Sequence, residues 1–99
     1  MGDDELTEYE ARLELALVQE YKAVVGMFRY AIETERRFYL ANEAHVEVRV
    51  PGSPSLLEVT LSDAWVWDMY RTTRFVPSVR VLTMRDVNIE RLPEEELRP

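Results

Sequence analysis

The hydrophobic pattern changes period once, at Gly26, and that single switch confines the chain to a helix followed by a sheet. Before it, Leu6, Tyr9, Leu13, Leu17, Tyr21 and Val24 recur every three or four residues, which draws one straight stripe along an α-helix. About twenty residues at 1.5 Å each give a rod of about 30 Å, long enough to lie across a small domain. Asp3 or Asp4 offers a cap at its start, where carboxylates also suit the helix dipole. Thr7-x-x-Glu10 is a capping box for a later start, with Leu6 and Ala11 as its staple. Gly26 is the expected stop, because glycine accepts the left-handed conformation that follows a last turn. Ala11, Leu15, Val18 and Val25 form a weaker apolar line on roughly the opposite side. A sheet edge or a tail covers that line, or it is left as a partner surface.

Beyond Gly26 the apolar residues alternate. Phe28, Tyr30 and Ile32 read as a first strand, and Glu35-Arg36 as a turn. Residues 38–50 form a long second strand with a bulge expected near Asn42. Pro51-Gly52-Ser53-Pro54-Ser55 is a loop. Leu57, Val59 and Leu61 open a third strand that reaches towards Trp67, and residues 79–89 make a fourth. Entry to the fourth runs through Pro77, which points to an edge or a bulge. The fold class is therefore α+β: one N-terminal amphipathic helix packed on a mostly antiparallel sheet of about four strands. Residues 1–92 make a single domain, and 93–99 are an acidic tail.

Composition narrows the function classes. With 46% hydrophobic and 31% charged residues the chain folds, and no charge-free run approaches the roughly 20 residues of a membrane helix. The acidic start Met1-Gly2-Asp3-Asp4-Glu5 is unlike a secretory signal, so the expected location is cytoplasmic. Seven of the 19 acids lie in the first twenty residues, against one base, Arg12. Glu94, Glu95 and Glu96 make the other end acidic and leave the middle of the chain near neutrality. A net charge of −7 disfavours non-specific binding to nucleic acid or anionic membrane.

Catalytic chemistry finds no purchase. The absence of Cys removes thiolate catalysis, disulfides and Cys-ligated zinc together. His45 is the only His, on the polar phase of its strand between Glu43 and Glu47, where solvation is the default. Three Gly cannot build a phosphate loop, and no nucleophile motif is present. The reading is therefore a non-enzyme with no cofactor and no metal.

Two segments are distinctive. In the first, Asp63 to Phe75, Trp65 and Trp67 share a strand face and are followed by Tyr70, Arg71 and Arg74. In the second, Glu33 to Tyr39, Arg36, Arg37 and Tyr39 follow two Glu at a turn. Two readings stand for each. The Trp pair packs on the helix as core, and the Arg residues form ion pairs on a solvated face. Alternatively these eight residues form an exposed aromatic and guanidinium patch, of the composition that binds partners.

The runs Glu33-Thr34-Glu35-Arg36-Arg37-Phe38-Tyr39-Leu40-Ala41-Asn42 and Asp63-Ala64-Trp65-Val66-Trp67-Asp68-Met69-Tyr70-Arg71 resemble the signature runs of a small actinobacterial family of unknown function. Tyr21-Lys22, Val25-Gly26, Arg74-Phe75-Val76, Val79-Arg80-Val81 and Asp86-Val87-Asn88-Ile89-Glu90 extend the likeness over about residues 5–92. The resemblance implies no activity, cofactor or catalytic residue. It implies genes placed near those of a signal peptidase and a type II ribonuclease H, a pointer to RNA housekeeping or secretion. The expectation is a protein-interaction or regulatory module with a protein partner, the acidic helix steering the encounter. The alternative is an RNA- or nucleotide-binding module that stacks bases on exposed aromatics, with Arg36, Arg37, Arg71 and Arg74 on phosphates.

Overall fold

In the computed structural model, which describes residues 2–93, the stripe lies on one helix, α1 (Gly2–Val24), followed by a 3-10 turn over Val25–Met27. Gly26 sits inside that turn and is not left-handed; the glycine with positive φ is Gly52. The stop comes instead from the tightened turn, after which Phe28 is extended (φ −119, ψ 152) and donates its N–H to Val25 O at 3.3 Å. Thr7 lies within the helix, so the capping box does not cap it.

Five strands follow: β1 (Tyr30–Glu33), β2 (Phe38–Val50), β3 (Leu56–Val66), β4 (Phe75–Thr83) and β5 (Asn88–Arg91). All pairings are antiparallel, in the order β4-β3-β2-β1-β5. Pro77 is on an edge strand, as its missing N–H requires. The strand expected over 79–89 is two strands. Thr83 Oγ1 accepts the N–H of Arg85 at 3.0 Å, the chain bends, and β5 pairs with β1 on the opposite edge. Five residue steps from Thr83 to Asn88 span at most about 18 Å. A flat sheet at about 4.8 Å per strand would need about 19 Å. The sheet is therefore coiled, bringing β5 round towards the end of β4.

The coil has a visible cause. β2 buries Tyr39 and Ala41, then turns Ala44 inward; β3 buries Leu61 and then Ala64; β4 turns in Val76 and then Val79. Each strand shifts its inward phase by one residue, at Asn42–Glu43, Ser62–Asp63 and Pro77–Ser78. These positions lie side by side, so the ladder skips Asn42, Asp63 and Pro77 yet keeps its register from Ala41↔Ala64↔Val76 to Glu43↔Ser62↔Ser78. Asp63 takes the left-handed conformation there (φ 53), which costs an L-residue roughly 1–2 kcal/mol and is best tolerated by Asn and Asp. Asn42 Nδ2 donates to its carboxylate at 2.7 Å. The bulge expected near Asn42 is thus a phase change shared by three strands. The register shift itself falls between Val48 and Val50, beside Pro51.

Two apolar clusters result. Inside the coil lie Ile32, Tyr39, Ala41, Val59, Leu61, Ala64 and Val66. Under the helix lie Leu17, Val24, Phe28, Ala31, Leu40 and Trp65, with Tyr21, Phe38 and Trp67 against them. Only the second half of the helical stripe takes part. Leu17 and Val24 are buried and Leu13 is half-buried, but Leu6 is 56% and Tyr9 51% exposed. Of the second apolar line, Ala11 and Leu15 are exposed, and Val18 and Val25 are half-buried. The helix thus runs past the sheet, and the radius of gyration is 16.0 Å where about 13 Å is usual for this length. Apart from Pro93, the acidic tail lies outside the described residues.

Candidate interaction site

The eight candidate residues are brought to one end of the sheet, and four of them, Trp65, Trp67, Tyr70 and Arg74, hold it or its loop to the helix. The segment between β3 and β4 is closed at its base by Val66 N–H to Arg74 O at 2.9 Å. Asp68 organises its interior. Its Oδ1 accepts the N–H of Tyr70 at 3.0 Å, its Oδ2 pairs with Arg37 Nη1 at 3.1 Å, and its carbonyl accepts Arg74 Nε at 3.1 Å. Arg74 then reaches the helix, with Nη1 3.1 Å from Glu20 Oε2. Only 11% of its side chain is exposed, so this guanidinium is a structural pin.

Trp65 is core. It is fully buried, and its indole N–H donates to Glu20 Oε1 at 2.6 Å. Glu20 therefore serves Trp65 and Arg74 together, which explains an acid on the inner side of the helix. Trp67 is half-buried, its ring edge-on to Tyr21 at 5.2 Å and to Phe38 at 6.0 Å. Tyr39 is buried in the other cluster, inside the coil. Burial raises its phenol pKa above the ordinary value, against the opposing pull of Arg37 and Arg71. A flat row of exposed rings for stacking bases is absent from the described residues: Trp65 and Tyr39 are both covered.

What remains open is narrower. Arg36 and Arg71 are exposed, and Arg71 Nε donates to Thr73 O at 3.0 Å. The turn holding Arg36 and Arg37 is built by Thr34, whose Oγ1 accepts the N–H of Arg37 at 3.1 Å. Tyr70 is 61% exposed and donates its hydroxyl to Glu10 Oε2 at 2.5 Å. That bond raises the Tyr70 pKa, because the carboxylate favours the protonated phenol; slight burial and the charges of Glu10, Tyr9 and Asp68 add to it.

Glu10 thus ties the loop to the first half of the helix, where Leu6, Tyr9 and Tyr70 stand exposed. Leu6 and Tyr9 entered the sequence reading as core stripe, so their role as surface was missed. Nothing in the periodicity marks where the sheet ends beneath the helix.

His45 is exposed on β2, and among the described residues no group of three His, Asp or Glu is placed to hold a metal ion. No helix is long and apolar enough to cross a membrane. An open cleft of about 860 Å³ lies away from the eight candidates, with Arg29, Asn42, Glu43, Asp63 and Arg91 in its wall.

Comparison with known proteins finds a match to a family described as protein of unknown function (DUF2469), over residues 1–99. Uncharacterised proteins of Mycobacterium bovis and of two strains of Mycobacterium tuberculosis are each 52% identical over 98 residues, covering 99% of this chain and 97% of theirs. No solved structure matches.

Proposed function

The chain belongs to the DUF2469 family of proteins of unknown function, and for this member we propose a non-catalytic role as a protein-interaction module. The docking surface is the overhanging half of α1 together with Tyr70. One observation carries this reading: the apolar stripe continues past the edge of the sheet, leaving Leu6, Tyr9 and Tyr70 exposed beside one another's elements. Tyr is among the residue types enriched in interface hot spots, and Leu6, one turn before Tyr9, adds apolar area beside it. Glu5, Glu8 and Glu14 on the same stretch of helix give the surround a negative sign, so the partner is a protein with a basic docking face.

The test compares the tagged wild type with a Leu6→Ser/Tyr9→Ser variant, recovered from its native cell with whatever each retains. Loss of a basic protein from the variant, with an unchanged melting curve, supports the reading. A bound protein indifferent to the two substitutions overturns it. So does recovery of RNA that depends on Arg36 and Arg71, which would put nucleic-acid binding first.

A further inference from the structure

The edge of β2 that β1 leaves bare carries an address. β1 pairs with β2 only from Phe38 to Ala41, whereas β3 follows the other side of β2 as far as Val50. From Asn42 to Val50 the β1 side of β2 therefore has no strand beside it among the described residues. Such an edge is a template for another strand. Along it the charged residues Glu43, His45, Glu47 and Arg49 alternate with Ala44, Val46 and Val48. Val46, Val48 and Val50 are 39%, 54% and 56% exposed.

We propose that this edge pairs with the same edge of a second copy of the chain, antiparallel about a two-fold axis through Val46. The register singles itself out. With Val46 opposite Val46, His45 meets Glu47 of the second copy and symmetry repeats the pair, while Arg49, at the irregularity that ends the regular register, comes towards Glu43. On the other face Ala44 meets Val48, which makes one apolar strip. An axis at His45 would set Glu43 against Glu47, and an axis at Glu47 would set Glu47 against itself and His45 against Arg49. Registers offset by a single residue would put the charged face of one copy against the apolar face of the other. Charges on an edge usually block pairing. Here they block the neighbouring registers and leave one.

The limits of the edge agree with that register. An axis at Val46 places Asn42 opposite Val50. Asn42, just after the last β1 pair at Ala41, accepts the N–H of Arg29 on its Oδ1 at 3.1 Å, so the bare edge begins at Glu43. Val50 is where β2 ends, at Pro51, which has no N–H to continue a ladder. The second hairpin tip would then turn away beside the cleft at Asn42 and Glu43, which the described residues leave open. Arg49 already gives Nε and Nη2 to Glu58, and its remaining nitrogen, Nη1, is left for Glu43 of the second copy.

The chain has no Cys, so Val46→Cys introduces a single thiol on the axis. Directly opposed residues of an antiparallel pair have Cβ atoms about 4.5–5.5 Å apart, within small adjustment of disulfide geometry. Oxidation of V46C is expected to give a covalent dimer, while Ser78→Cys, on the exposed outer strand β4, stays monomeric. Sedimentation of the unmodified chain is expected to show a dimer. Glu47→Lys removes the carboxylate that faces His45 and should weaken the dimer several-fold, and the exchange H45E/E47K, which sets Glu against Lys, should restore it. A wild-type chain that remains monomeric up to millimolar concentration overturns the proposal. A dimer indifferent to E47K, in protein whose circular dichroism is unchanged, overturns it as well.

Discussion

At the scale of single residues, burial and not residue type decides what each side chain does. Leu6 and Leu17 belong to one helical stripe, yet Leu17 is 2% and Leu6 56% exposed. Leu17→Ala should cost about 2–5 kcal/mol in urea unfolding, and Leu6→Ala within about 0.5 kcal/mol. The tyrosines give a second check. Tyr39, through burial, and Tyr70, through its bond to Glu10, both hold their protons more tightly in the folded chain than in the unfolded one. As pH rises the unfolded chain therefore loses these protons first. The stability they contribute is complete below about pH 10 and is lost as pH rises through their folded values. Absorbance at 295 nm should show late ionisation that shrinks in Tyr39→Phe and in Tyr70→Phe. His45, exposed and away from any metal cluster, should be replaceable by Gln with no change in the unfolding midpoint.

At the scale of elements, the loop of residues 67–74 is a clasp. Arg74 binds two of its carbonyls and Glu20 of the helix, and Asp68 holds Arg37 from the turn between β1 and β2. Arg74→Lys keeps the charge but loses the planar fork, and should lower stability by about 1–3 kcal/mol in the same unfolding assay. This clasp also shows what was legible in the sequence. The helix, the long second strand and the edge position of Pro77 followed from period and from proline chemistry, which are local. The pairing of Trp65 and Arg74 with Glu20 joins residues 45 and 54 apart, and composition alone left core and surface readings open. The split of β4 from β5 was hidden because Thr83-Met84-Arg85-Asp86 carries no Gly or Pro; a side-chain hydroxyl makes that bend. The phase change at Asn42, Asp63 and Pro77 left a local trace, a break in alternation in β2. Its meaning required knowing that the three residues lie in one row.

At the scale of the whole molecule, the chain is longer than its length requires because two parts overhang: the first half of α1 and the arm formed by residues 43–50 with β3. Each exposes apolar side chains beside charges, and each is proposed as the surface for a different partner, a basic protein at the helix and a second copy at the strand. Amide hydrogen exchange on the full chain should find residues 17–24 of the helix protected with the core and residues 6–12 exchanging faster. Uniform protection along α1 would mean that the overhang is covered. The docking surface itself is tested most directly by a photo-crosslinking amino acid placed at Tyr9 in the native cell, with one at Gln19, on another side of the same helix, for comparison. The proposed docking surface predicts a protein adduct from position 9 and none from position 19. Equal adducts from both, or RNA as the species captured at position 9, would contradict it.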